Sequence, residues 1–272
     1  MAKTLDLSRS GYYAGRNRPV SRREEENRVL INQIKVVHQE CRQVYGSPRM
    51  TVELKARGLV CSINRIAKLM KENQIAAKTK RKFKATTVSR HKFPITPNLL
   101  NQSFLIPNKN RVWASDITYV WTKEGWLYLA MVLDLHSRSI VGWAMGDRLQ
   151  RDLVMDAFKQ AVQRRRPEAG LIFHSDRGVQ YACSDFRELL AGQSITQSMS
   201  GKGNCYDNAV SESFFKTLKT ELIYFSRFQT RAEAKSEIFE YIEIFYNRQR
   251  RHSSLGYLSP AEFEQINSTN IV

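Results

Sequence analysis

The sequence predicts an α/β core built on a mixed sheet, preceded by a small all-α module of helix-turn-helix type. Three observations carry this. The apolar period is helical as far as residue 75 and strand-like from residue 111. The later elements run as three strands followed by alternating helices and strands. The charge is lopsided: of a formal +17, residues 1–100 carry 22 Lys and Arg against seven Asp and Glu, whereas residues 101–272 carry 21 against 19. A basic module joined to a near-neutral globular one suits a polyanion. Nucleic acid fits better than a membrane surface, because the basic residues do not line one face of a Trp- or Leu-rich helix.

The 272 residues divide into a helix-turn-helix module over 1–75, a basic linker over 76–108, an α/β core over 109–225, and a C-terminal helix with a polar tail over 226–272. In the first module, residues 24–42 repeat apolar side chains at 30, 31, 34, 37 and 41 behind an acidic first turn. A second helix follows "YG", with Ser47 as its cap, Pro48 at its first position and Gly58 as its stop. The third starts at Ser62 and places Ile63, Ile66, Ala67 and Met70 on one side. Asn64, Arg65 and Lys68 near its start would face a major groove; a three-helix bundle with solvated charges has the same pattern. The linker holds seven Lys and Arg and no acid over 76–92, including Lys80, Arg81 and Lys82. It reads as an arm that tracks phosphates, or as a merely solvated spacer.

In the core, "RVWASDITYV", "WLYLAMVLDLHS" and "SIVGWAMGD" read as strands, the latter two joined by a tight hairpin at Ser137–Ser139. Then come the helix "RDLVMDAFKQAVQRRR", the strand "AGLIFHSD", the helix "SDFRELLAGQ", the strand "ITQSMS" and a loop-helix, "GNCYDNAVSESFFKTLKTEL". That order is the order of a ribonuclease-H-like mixed sheet. The last helix, 231–250, packs through Ile238, Ile242 and Phe245. The four cysteines have neither C-x-x-C spacing nor paired histidines, so reduced thiols are expected rather than a zinc site. The start lacks an apolar signal region and the most apolar run is broken by Asp134, which predicts a soluble intracellular protein with no membrane partner.

Three acids stand out by position. Asp116 interrupts an apolar strand, Asp176 ends one, and Glu212 lies on a helix with 35 residues between it and Asp176. Ligands gather at strand ends in open α/β sheets, and a carboxylate inside an apolar strand is costly unless paired or bound to a metal. Such an oxygen-rich set suits Mg²⁺. On the helix of Glu212, Lys216 and Lys219 fall on the same side at i+4 and i+7, opposite an apolar arc of Val210, Phe214, Leu218 and Leu222.

The words "WASDITYV", "HSDRGVQY", "GNCYDNAVSESFFKTLKTEL" and "YNRQRRHSSLGYLSPAEFE" closely resemble the catalytic protein of IS-three-family bacterial insertion sequences, the OrfB-type DDE transposase related to retroviral integrases. The resemblance implies a triad of Asp116, Asp176 and Glu212 holding two Mg²⁺ ions, with Mn²⁺ as an alternative. It also implies cleavage at element ends, joining of a 3′-OH to target DNA, and a DNA contact at Lys219; Lys216 rests on helical geometry alone. A homo-oligomer on DNA, fusion to or complex with an upstream helix-turn-helix protein, and a cytoplasmic, nucleoid-associated location in bacteria follow from it as well. A nuclease that only hydrolyses and a non-catalytic DNA-binding regulator are the competing readings. Among other residues, His174 is either a proton carrier or a structural histidine, and Asp134 reads as a turn cap. Asp207 and Asn208 shape the loop and cap its helix. Gln180 and Tyr181 are candidate substrate contacts. Trp113, Trp126 and Trp143 are assigned to packing, and Arg250, Arg251 and His252 are either DNA contacts or a solvated basic end.

Overall fold

The computed structural model describes residues 9–16, 18–78, 94–201 and 205–269. Contacts divide the chain into two compact units, Met1–Ala77 and Lys78–Val272. Lys80, Arg81 and Lys82 lie outside the described residues.

The first unit contains α1 (Arg9–Arg16), α2 (Arg22–Glu40), α3 (Ser47–Ala56) and α4 (Ile63–Glu72). Ser21 caps α2 by accepting from the Glu24 amide, and Ser62 caps α4 by accepting from the Arg65 amide. The cap of α3 is Gly46 and not Ser47, which sits in the first turn and whose carbonyl accepts from the Thr51 hydroxyl at 2.7 Å. Leu30, Ile34 and Val37 of α2, Met50 and Leu54 of α3, and Ile66, Leu69 and Met70 of α4 form the core. Ile63 and Ala67 are exposed, a departure from the expected face: Leu69, one turn beyond Arg65, takes the inward position instead.

The second unit is built on a five-stranded sheet of order β3-β2-β1-β4-β5. The strands are β1 (Val112–Thr122), β2 (Gly125–Asp134), β3 (Ile140–Gly146), β4 (Ile172–Ser175) and β5 (Thr196–Met199). The first three are antiparallel neighbours, whereas β4 and β5 run parallel to β1. This is the mixed sheet expected of a ribonuclease-H-like core. Between and after the strands come α5 (Arg151–Arg165), α6 (Val179–Ala182), α7 (Ser184–Ala191), α8 (Ala209–Glu221), α9 (Arg231–Glu240) and α10 (Pro260–Thr269). One sheet face, with Trp113, Ala130, Val132 and Val141, packs on α5, α6 and α7 through Phe158, Tyr181 and Phe186. Gly142 allows that packing: a Cβ there would meet the Ala157 carbonyl at 2.2 Å. Against β1 and β2 also pack α8 and α9, and α9 widens into a π-turn over Tyr241–Tyr246 that buries Ile242 and Phe245.

The tail is more ordered than its polarity suggested. Ser259 and Glu262 form a reciprocal capping box at the start of α10, with the Ser259 amide donating to the Glu262 carboxylate at 2.8 Å and the Glu262 amide donating to the Ser259 hydroxyl at 3.3 Å. Arg165 binds Glu264 through two hydrogen bonds of 2.6 and 2.7 Å, tying α10 to α5. Among the described residues no helix is long and apolar enough to cross a membrane.

Candidate active site

The site is set by register. In the parallel pair β1–β4, Ser115 lies opposite Ser175. Asp116 is the next residue of β1 and Asp176 the first residue after β4, so the two aspartates follow directly on the last paired residues, at the point where β4 ends. The Asp116 carboxylate accepts from the Ile117 amide at 2.8 Å, and that of Asp176 accepts from the Gly178 amide at 2.9 Å. Alternation along β1 turns Asp116 to the face away from Trp113 and Ile117, which is the face of Thr118 and Val120. Glu212, exposed in the first turn of α8, adds a third carboxylate.

These charges act on one another. Burial, then the negative charge of Asp176, and to a smaller degree that of Glu212, hold the Asp116 carboxyl well above the usual carboxylate range; the Ile117 amide and Lys219 oppose the shift. Glu212 is raised as well, by partial desolvation. Neither Asp116 nor Glu212 forms an ion pair among the described residues. No three His, Cys, Asp or Glu side chains among the described residues stand close enough to chelate a metal as they are. The donor set nevertheless fits a hard divalent cation: it is all oxygen, and its mutual repulsion is what such a charge removes.

The supporting residues include several corrections. Tyr181 is not on the surface where a substrate contact is expected; it is fully buried, and its hydroxyl donates to Ser115 Oγ at 2.9 Å while Ser115 donates to the Met131 carbonyl at 2.7 Å. It therefore props β1 from behind Asp116. His174 is structural: it is buried between the Ser198 hydroxyl, 2.9 Å from Nδ1, and the Ser200 hydroxyl, 3.3 Å from Nε2. Burial holds its pKa below the ordinary value. Asp207 shapes the loop before α8, accepting from the Gly201 amide at 2.7 Å and from Gln102 at 3.2 Å. Asn208 occupies the cap position of α8 but makes no capping bond, and its buried Oδ1 has no hydrogen-bond partner among the described residues. Asp134 caps the hairpin, accepting from the Asn110 and His136 amides at 2.7 and 2.8 Å.

Lys216 is exposed on α8, and Lys219 brings its Nζ to 5.6 Å from the centre of the Tyr119 ring. In the first unit Asn64 and Lys68 are exposed. Arg65 is turned inward: it bonds Asn27 at 2.8 Å and pairs with Glu26 at 3.2 Å, fastening α4 to α2. Arg250 belongs to the core. Its guanidinium grips Glu221 with bonds of 2.8 and 2.6 Å, and both side chains are buried. His252 is buried beside it, its ring against Tyr246.

A mixed sheet of this order, with two aspartates where β4 leaves β1 and a helical glutamate whose charge acts on one of them, is the arrangement expected of an integrase-type core of the DDE class. Sequence-family profiles agree: "Integrase core domain" matches residues 107–205 and again 212–267, and "HTH-like domain" matches 24–83. A protein of insertion element IS600 from Shigella sonnei is 48% identical over 97% of this chain and 97% of its own length. The transposase InsF of insertion sequence IS3A from Escherichia coli is 40% identical over 98% of this chain and 93% of its own. A crystal structure of the catalytic core domain of BIV integrase aligns with a TM-score of 0.45 at 20% identity, over 59% of this chain and 97% of that one. The chain belongs to the DDE transposases of bacterial insertion sequences.

Proposed function

We propose that this transposase cuts at the ends of its element and joins the resulting 3′-OH to target DNA at a site formed by Asp116, Asp176 and Glu212. The observation that carries the reading is that Asp116 and Asp176 each follow the last in-register pair of β1 and β4, Ser115 opposite Ser175, with the charges of Asp176 and Glu212 both acting on Asp116. Asp116 and Asp176 would hold two divalent ions, Mg²⁺ or Mn²⁺, with Glu212 closing from α8 when DNA arrives. Bound there, the ions supply Lewis-acid polarisation of the scissile phosphate and of the attacking oxygen. Asp116 lies within β1, Asp176 directly after β4 and Glu212 on α8, so closure needs movement of α8 or of one side chain.

Lys219 and Lys216 then set positive charge against the phosphates beside the reacting one, and Lys219 already lowers the pKa of Asp116 through its field. Joining replaces one phosphodiester by another, so the reaction needs no nucleotide hydrolysis. In the first unit Asn64 and Lys68 face DNA, and Arg65 holds α4 in place for them. The basic segment containing Lys80, Arg81 and Lys82 tracks the backbone. Residues 1–75, 76–108, 109–225 and 226–272 serve as DNA reader, arm, catalytic core and brace. Two element ends processed together require a dimer or larger assembly on DNA. A fusion or complex with an upstream helix-turn-helix protein, and a cytoplasmic position at the nucleoid, complete the proposal.

Purified protein with labelled 3′-ended DNA and Mg²⁺ should yield strand-joined products. Hydrolysis alone would support the nuclease reading, and unchanged mobility of an element encoding Glu212→Gln would support the regulator. DNA affinity should fall steeply with salt, since the basic first third releases counterions from several phosphates.

A further inference from the structure

Trp126, expected in the packing, is on the surface. The β1–β2 pairing places Trp121 opposite Trp126 and Tyr119 opposite Tyr128, so these four aromatic side chains share one face of the ribbon. It is the face that carries Ile117 and Ala130 further back, where α5, α6 and α7 cover it. That cover ends before the aromatic stretch: Trp121 is 58% exposed, Trp126 43% and Tyr119 40%. The opposite face of the same stretch is anchored, with Thr118, Val120, Thr122 and Leu127 buried. The rings are held edge to face, Trp121 on Trp126 at 4.8 Å and Tyr119 on Trp126 at 5.0 Å, while each keeps much of its surface accessible.

The charges around this face are those a polyanion needs. Among the described residues no strand pairs with β1 on its β4 side beyond Ser115, so past Asp116 that edge of β1 has no strand neighbour. Lys219, from the helix of Glu212, comes over that edge to the Tyr119 ring at 5.6 Å. Arg231 lies at the far end, its Nε donating to the Trp126 carbonyl at 3.0 Å. Lys123 stands in the two-residue turn between the strands, and the acid beside it, Glu124, is engaged by the Arg231 amide at 2.7 Å. Tyr119 and Trp121 follow Asp116 by three and five residues, roughly 10 and 17 Å along the strand, the reach of a few nucleotides.

We infer that the exposed face of the β1–β2 ribbon, Tyr119, Trp121 and Trp126, is a stacking platform for unpaired nucleobases of a DNA strand leaving the active site. A strand whose phosphate lies at Asp116 crosses that edge of β1 beside Lys219 and lays its next unpaired bases on the indoles. Base–aromatic stacking is indifferent to sequence because every base has a π face. The inference rests on the DNA-processing function proposed above, and it can fail independently.

The test is binding of the full chain, in EDTA so that no chemistry occurs, to a fluorescent blunt duplex and to the same duplex with a short single-stranded extension. Wild type should prefer the extended DNA. Trp121→Ala/Trp126→Ala should lose about tenfold or more of that preference and keep its blunt-duplex affinity, whereas Trp121→Phe should retain most of it. Iodouracil in the extension should crosslink to Trp121 or Trp126. Equal preference in the double alanine variant, or crosslinks confined to other residues, would overturn the inference. So would a shift in sedimentation with the extension preference intact, because the face would then join protein copies. Asp116→Asn should keep the preference while losing strand joining; loss of joining with the preference retained bears on the catalytic assignment alone.

Discussion

Helix α8 carries two glutamates nine residues apart, half a helical revolution from one another. Glu221 is buried in a bidentate bond with Arg250 and also accepts from the Tyr241 hydroxyl at 2.7 Å. Glu212 is exposed, forms no ion pair among the described residues, is raised in pKa by partial desolvation, and acts through its charge on Asp116. The first arrangement compensates a charge fully and so fixes a helix. The second leaves charge uncompensated, which is costly in the fold and useful only to a ligand that brings positive charge. The helix is thus clamped at its end by one acid so that the other can be offered at its start.

The sharpest way to break this contrast is to neutralise each acid in turn. Glu212→Gln should abolish cleavage and joining, a loss at least on the order of 10³-fold in strand-transfer rate. Its melting temperature should not fall, since the substitution removes a repulsion from Asp116 rather than a bond. A lowered melting temperature would show that Glu212 is structural and would erase the distinction.

Arg250→Ala should do the reverse. It leaves the buried Glu221 carboxylate without its guanidinium partner and should cost about 3–5 kcal/mol in denaturant unfolding. Replacing both partners by apolar residues, Arg250→Met with Glu221→Leu, should recover much of that loss. If Arg250→Ala melts like wild type, the clamp is not holding α8.

Much of this contrast was open to reading, and the missing half has a physical cause. Strand order, the helix of Glu212 and the positions of Asp116 and Asp176 follow from local period and from acids placed where an apolar strand does not tolerate them. Arg250 read as a basic tail because its partner lies 29 residues away, and no local pattern announces a buried pair. Trp126 departs from expectation for a related reason: apolar residues in a strand signal a face, but how much of that face is covered depends on how far α5 to α7 extend. The ordered tail was legible and missed. Ser259, Pro260 and Glu262 spell a capping box with proline at the first helical position.

The sheet that bears the aspartates offers a third contrast, between packing that positions the site and the site itself. Gly142→Ala places a methyl 2.2 Å from the Ala157 carbonyl and should destabilise by about 1–3 kcal/mol as α5 is pushed from β3. The catalytic rate of the molecules that remain folded should change little, because β2 separates β3 from β1, and β2 and β1 together separate it from β4. Strand transfer normalised to folded fraction checks this.

The smallest effect is expected nearest the site. Tyr181→Phe removes one hydroxyl that donates to Ser115, immediately before Asp116. Ser115 keeps its own bond to the Met131 carbonyl, so only one neutral hydrogen bond is lost, at a cost of about 1 kcal/mol. The phenol is fully buried and the negative charges of Asp116 and Asp176 keep it from ionising, with burial the larger cause. It therefore has no proton to trade with substrate in the working range. Strand transfer by the Phe variant should fall only modestly, with the shape of its pH profile unchanged. A changed pH profile would mean that the hydroxyl takes part in proton transfer, and the boundary drawn here between the prop behind Asp116 and the acids in front of it would have to move.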